Sequence, residues 1–153
     1  MIVKTLVWPD EAATAAFATQ LGEALTRANL NACIALHGDL GAGKTTFVRH
    51  LLRALGVQGN IKSPTYAVVE PYSVGAGEVW HFDFYRFSDP REWEDAGFRD
   101  IFASAGLKLC EWPQNAAGVM PTPDLELALE VDDDAQRLVT LNALTPRGQE
   151  LLA

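Results

Sequence analysis

Asn31-Ala32-Cys33-Ile34-Ala35-Leu36-His37-Gly38-Asp39-Leu40-Gly41-Ala42-Gly43-Lys44-Thr45-Thr46-Phe47 is the stretch that decides the fold. Asn31 to His37 is a short apolar run and reads as a buried strand. Gly38 to Thr45 matches G-x-x-x-x-G-K-[ST], the phosphate-binding P-loop. Its three glycines let the backbone wrap closely around a phosphate and turn successive N–H groups inward. From Thr46 onward, Phe47, Leu51, Leu52 and Leu55 recur at helical spacing and Gly56 ends the run. Strand, glycine loop and helix in that order are the context the motif requires. Asp39, Leu40, Gly41, Ala42, Gly43, Lys44, Thr45 and Thr46 are therefore the expected nucleotide-binding residues, with the Lys44 ammonium at the β- and γ-phosphates and the Thr45 hydroxyl on Mg2+.

Working outward, the rest of the chain reads as an α/β unit. Ile2 to Val7 is a short strand, and Pro9-Asp10-Glu11 opens a helix through Phe17, Leu21 and Leu25. Tyr66 to Tyr72 and Glu78 to Tyr85 form a hairpin across Ser73 to Gly77. A broken helical stretch runs from Asp89 to about Ser104, interrupted at Gly97, and Leu107 to Cys110 is a buried strand. Leu125 to Val131 and Arg137 to Leu144 make a second hairpin, with Asp132-Asp133-Asp134 as its turn, before a terminal helix at Pro146. Alternating helices and strands predict a three-layer αβα sandwich of P-loop NTPase type, and the hairpins make its largely parallel sheet mixed.

The chain has 153 residues, which predicts one domain, 1–153, with no room for a large second module. No apolar run is long enough to span a membrane and no signal peptide is evident, so a cytoplasmic location is expected. Cys33 and Cys110 both lie in strands and read as buried thiols. The net charge of −8 excludes a broad nucleic-acid-binding face, because phosphate neutralisation dominates such affinity. RNA contact, where it occurs, is expected to be local or made by a partner.

Nucleotide chemistry with Mg2+ also needs a carboxylate for the metal and a group that places the attacking water. Two candidates stand where strands end. In Trp80-His81-Phe82-Asp83-Phe84-Tyr85, alternation puts Trp80, Phe82 and Phe84 on one face and His81, Asp83 and Tyr85 on the other. Glu111 closes the apolar run Leu107 to Cys110 just before Trp112-Pro113, and open α/β sheets bind ligands at such carboxyl ends. Ser63-Pro64-Thr65-Tyr66 is by itself a plain Ser-Pro turn, although its hydroxyls are of the kind that sense a γ-phosphate.

Taken together, the P-loop, Ser63-Pro64-Thr65-Tyr66, His81-Phe82-Asp83-Phe84-Tyr85-Arg86 and Glu111-Trp112-Pro113 resemble, in order and spacing, the TsaE (YjeE) family over essentially the whole chain. These are small bacterial P-loop ATPases of tRNA threonylcarbamoyladenosine biosynthesis. Two departures are modest: Tyr66 stands where Phe is common, and Gln114 where an acid is common. The resemblance implies ATP or ADP with Mg2+ as ligands, metal contacts from Thr45, Asp83 and Glu111, and catalytic roles for Asp83, Glu111 and Thr65, the last within a switch-like loop. It implies that Trp112 packs beside the nucleotide or a partner. It also implies partners, a threonylcarbamoyl transferase subunit and its paralogue, with tRNA met indirectly through that complex.

Two other classes share the first motif. A small-molecule or nucleoside kinase needs an arginine-bearing lid, and mid-chain arginines are limited to Arg86, Arg91 and Arg99 among acids. A nucleotide-gated binding module would scarcely turn over. No arginine lies in the P-loop or in Ser63-Pro64-Thr65, and Arg86, just beyond Asp83, is the nearest in-chain candidate. Slow hydrolysis by the chain alone, stimulated by partners, is therefore expected.

Overall fold

The computed structural model describes residues 2–61, 64, 68–89, 91, 93 and 97–153. Seven strands form one sheet in the order β1-β7-β6-β2-β5-β4-β3. They are β1 (Ile2–Trp8), β2 (Ala32–His37), β3 (Val69–Val74), β4 (Gly77–Asp83), β5 (Leu107–Glu111), β6 (Leu125–Val131) and β7 (Arg137–Ala143). The four central strands, β6, β2, β5 and β4, run parallel, and antiparallel strands flank them on both sides. This is the expected mixed α/β sheet.

The alternation of side chains along the strands builds two apolar layers. Ile34 and Leu36 of β2, Leu107 and Leu109 of β5, and Leu125, Leu127 and Leu129 of β6 point to one face. There they meet α1 (Glu11–Arg27), α2 (Lys44–Ala54) and the C-terminal helix α4 (Pro146–Leu152) through Leu21, Leu25, Phe47, Leu51 and Leu151. Trp8, Phe17 and Phe47 stack within 5.4–6.1 Å of one another and tie β1 to both long helices. On the opposite face Phe82, Phe84, Phe87, Trp93, Phe98 and Cys110 form a second, aromatic cluster with α3 (Phe98–Ala103). Helices therefore lie on both faces of the sheet.

Local chemistry sets the boundaries. Asp10 caps α1 by accepting the Ala13 N–H at 2.9 Å, with Glu11 in the first turn and Arg27 in the last. The α2 helix begins at Lys44, two residues earlier than its apolar periodicity indicates, because the P-loop itself supplies the first turn. The first hairpin turns on Gly75-Ala76 alone, tighter than the five residues expected. Its second strand stops at Asp83, where the Asp83 carboxylate accepts the Tyr85 N–H at 2.9 Å and turns the chain. In the second hairpin Asp132 accepts the N–H groups of Asp134 and Gln136, so the acidic cluster is a turn as expected. Gly97, with φ of 72°, opens α3. The preceding part of the expected broken helix falls partly on residues 90, 92 and 94–96, outside the described residues. Both cysteines are free thiols, Cys110 buried and Cys33 half-buried. Among the described residues no helix is long and apolar enough to cross a membrane.

One consequence of the topology positions the site. Because β2, β5 and β4 are parallel neighbours, their carboxyl ends emerge at the same edge of the sheet. The P-loop follows β2, while Glu111 ends β5 and Asp83 ends β4, directly paired with Glu111 in the register.

Candidate functional site: a P-loop facing two carboxylates

Gly38 and Gly43 have φ of 148° and 107°, conformations that residues with a β-carbon resist. At Gly38 a β-carbon would lie 2.7 Å from the Leu129 carbonyl oxygen, so the loop hugs β6 and only glycine fits. Leu40, Gly41, Gly43, Lys44, Thr45 and Thr46 line a cleft of about 300 Å³. Ala42 turns its side chain into the core and gives its N–H to the Asp39 carbonyl, while Asp39 is exposed at the rim.

The Lys44 ammonium donates to the Gly38 carbonyl and sits 3.7 Å from the centroid of the Trp112 ring. Burial pushes its pKa down, opposed by the nearby carboxylates of Glu111, Asp83 and Asp39. Thr45 donates its hydroxyl to Glu111, 3.1 Å from Oε1 and 3.3 Å from Oε2. Glu111 is almost fully buried, and its Oε2 is also 2.6 Å from Nε2 of the equally buried His81. Asp83 lines the cleft beside it. Burial raises the Asp83 pKa, and the Glu111 charge adds to the rise. The Tyr85 N–H, His81 and Lys44 oppose it.

Lys44-Thr45, Asp83 and Glu111, three separate places in the sequence, are thus brought into one cleft. The donor set is a hydroxyl and two carboxylates, hard oxygens that suit Mg2+. Among the described residues no three His, Cys, Asp or Glu side chains gather to hold a metal by themselves. It is the hydroxyl and the two carboxylates, by their chemistry, that fit the expected group. Thr65, with Ser63 and Tyr66 of the expected switch segment, lies outside the described residues; Pro64 is buried.

His81 and Arg137 were not read from the sequence as parts of the site, and to the expected packing of Trp112 the structure adds its contact with Lys44. Trp112, between Glu111 and Pro113, is left-handed with φ of 56°. This rare conformation for a bulky residue carries the indole onto Lys44 and within 5.0 Å of the Tyr85 ring. His81 was placed on the Asp83 face by alternation, but its bond to Glu111 depends on the β4–β5 register. Arg137 of β7 corrects the expectation that Arg86 is the nearest arginine. Arg137 lines the cleft, and a β-carbon on Gly43 would come within 3.2 Å of its Nε, whereas Arg86 is exposed and outside the lining. Arg137 also borders an adjoining cleft of about 190 Å³, formed with Trp8, Asp10, Thr14 and Leu129, which shares Gly43 and Thr46 with the first.

Comparison with known proteins points to one family. The family described as "Threonylcarbamoyl adenosine biosynthesis protein TsaE" matches residues 8–139. The chain is 40% identical over 147 residues to the tRNA threonylcarbamoyladenosine biosynthesis protein TsaE of Haemophilus influenzae, covering 95% of this chain and 92% of that one. It is 35% identical over 138 residues to the protein of the same name from Bacillus subtilis, covering 90% and 80%. Among solved structures, Bacillus subtilis YdiB superposes with a TM-score of 0.79 at 26% identity, covering 99% of this chain and 94% of that one.

Proposed function

The chain belongs to the TsaE family, and on that premise we propose that it is the Mg2+-dependent, ATP-hydrolysing subunit of tRNA threonylcarbamoyladenosine biosynthesis. It acts with a threonylcarbamoyl transferase subunit and its paralogue, and meets tRNA through them. The observation that carries this reading is the meeting of Lys44, Thr45, Asp83 and Glu111 in one cleft, with the Thr45 hydroxyl 3.1 Å from Glu111.

In this reading the P-loop amides hold the β-phosphate and Lys44 leaves the Trp112 ring for the β- and γ-oxygens. Thr45, Asp83 and Glu111 hold Mg2+, which neutralises charge on the phosphate oxygens when bound with the nucleotide. The Asp83 carboxylate, held at the cleft by the Tyr85 N–H, accepts a hydrogen bond from the attacking water. Thr65 belongs to the segment that senses the γ-phosphate. The adjoining cleft that shares Gly43, Thr46 and Arg137 with the phosphate site receives the nucleoside. The acidic chain is steered towards a more basic partner complex.

The test is steady-state ATPase of the chain alone against the chain with the transferase, its paralogue and tRNA, at matched salt. Slow turnover alone and a large stimulation in the mixture are expected. Fast turnover that the partners leave unchanged would overturn the subunit assignment, and ATP-dependent phosphorylation of a small acceptor would replace it with a kinase.

A further inference from the structure

We propose that His81 is a positioning residue for Glu111, its Nε2–H fixing one carboxylate oxygen so that the other stays turned to Thr45. The inference rests on the Mg2+-nucleotide reading of this cleft.

The pair is closed to solvent: the side chains of His81 and Glu111 are 2% and 3% exposed. Nε2 lies 2.6 Å from Oε2, and at that separation facing a carboxylate it must carry the hydrogen. The other ring nitrogen, Nδ1, is buried and has no hydrogen-bond partner among the described residues. A bare lone pair costs less in a dry interior than an unpaired N–H, so the Nε2–H tautomer suits both ends of the ring. The imidazolium would also donate from Nε2. The orientation of Glu111 therefore does not depend on which form is present.

The sheet delivers this geometry. Asp83 pairs with Glu111 across β4 and β5, and His81 stands one same-face position back, paired with Leu109. Around it the same layer is apolar, with Val79, Leu107 and Leu109 fully buried. A histidine serving only the core would cost less as a leucine, because burying a polar ring with one empty nitrogen is unfavourable. What the imidazole adds is a donor aimed at one atom, Oε2 of Glu111. Thr45 supplies the second donor, nearer to Oε1, from a half-buried position within the cleft. Of the two, only His81 lies behind Glu111 and outside the cleft lining. Hydrogen bonds from behind fix the torsion of a metal-facing carboxylate, and removing such a partner typically costs about tenfold to a hundredfold in metal affinity.

The experiment compares His81→Leu, His81→Gln and His81→Asn with the unaltered chain. Gln places an amide N–H at about the reach of Nε2, whereas the Asn amide stops short of Glu111. Three quantities are read: ADP affinity in EDTA, Mn2+ affinity in the presence of ADP by electron paramagnetic resonance, and the melting temperature. Leu and Asn are expected to leave metal-free ADP affinity near that of the unaltered chain and to weaken Mn2+ binding about tenfold or more. Gln is expected to recover most of the loss. Unchanged Mn2+ affinity in folded Leu or Asn variants would overturn the inference. So would equal losses in Gln and Asn, which mark a role in packing alone; where Leu does not fold, the Gln–Asn comparison decides. If the unaltered chain binds Mn2+-ADP but hydrolyses no ATP with its partners, the ATPase reading falls and the His81 role stands. If the unaltered chain binds no nucleotide, both fall together.

Discussion

Replacing Glu111 by alanine and by glutamine separates its structural from its chemical contribution. Glu111 accepts from His81 at 2.6 Å and from Thr45 at 3.1 Å, and its side chain is 3% exposed. Alanine removes both acceptors. Thr45 is half-buried and turns its hydroxyl to water in the cleft, but His81 is sealed and its Nδ1 has no partner among the described residues, so among them the ring keeps none. Leaving a buried donor unsatisfied costs about 1–3 kcal/mol. For a domain of this size each kcal/mol lowers the melting temperature by about 2–4 °C, so a mid-range cost of about 2 kcal/mol predicts a fall of roughly 4–8 °C for Glu111→Ala. Glutamine keeps an oxygen for His81 and loses only the charge, so its melting temperature should stay close to that of the unaltered chain. Both variants should lose hydrolysis by about tenfold or more, since each lacks the charged metal-facing oxygen. Affinity for ADP without metal should hold, because the P-loop backbone grips the diphosphate. The assays are calorimetric melting and steady-state ATPase with the partners present. Normal hydrolysis by Glu111→Gln would refute the metal role. Equal destabilisation of the two variants would refute the hydrogen-bond account of the melting difference.

Other perturbations test the remaining parts of the cleft. Lys44→Ala should abolish tight nucleotide binding, and Thr45→Ala should lower activity together with its Mg2+ requirement; near-normal turnover in both would remove the nucleotide assignment. Asp83→Asn should melt higher than the unaltered chain at neutral pH in EDTA while losing hydrolysis. The carboxyl is held above its ordinary value of 3.8, so between that value and its raised one the folded state binds more protons and stability falls as pH rises. The advantage of Asn should therefore shrink as the pH drops through that window, and a constant difference down to acid would contradict the burial argument. Arg137→Ala should weaken ATP binding about tenfold to a hundredfold, the equivalent of one hydrogen bond to a charged group; unchanged affinity by titration calorimetry would place Arg137 outside the site.

The parts of the fold that a local window contains were legible. The strand–glycine loop–helix unit, the helix capped by Asp10, and the hairpin across Asp132 to Asp134 are each written in adjacent residues. Errors fell where side-chain geometry overrides periodicity. The β4 strand stops at Asp83 rather than Tyr85 because the carboxylate turns back onto the Tyr85 N–H. The α2 helix starts at Lys44 because the phosphate loop and the helix share a turn. The strand order was not available from local pattern. That β1 pairs with β7, at one edge, is a statement about residues far apart in the chain.

The site divides along the same line. Lys44 and Thr45 come with their motif, and Asp83 and Glu111 can be picked out as carboxylates that end strands. Pairing the two acids requires β4 and β5 to be parallel neighbours in one register. The same register aims His81 at Glu111, so alternation alone could place the histidine on the right face and say nothing of its partner. Trp112 needed a backbone conformation that sequence patterns do not announce, least of all before a proline. Arg137 is the extreme case. It begins β7, on the far side of β6 from the P-loop strand, and reaches the cleft because Gly43 has no side chain to keep its guanidinium away. Its place just after Asp83 singles out Arg86, which is exposed; the sheet brings Arg137 to the cleft instead. Charge at a cleft is a property of what converges on it in space, and the missing β-carbon at Gly43, which the P-loop motif prescribes, leaves room for a cation from another strand.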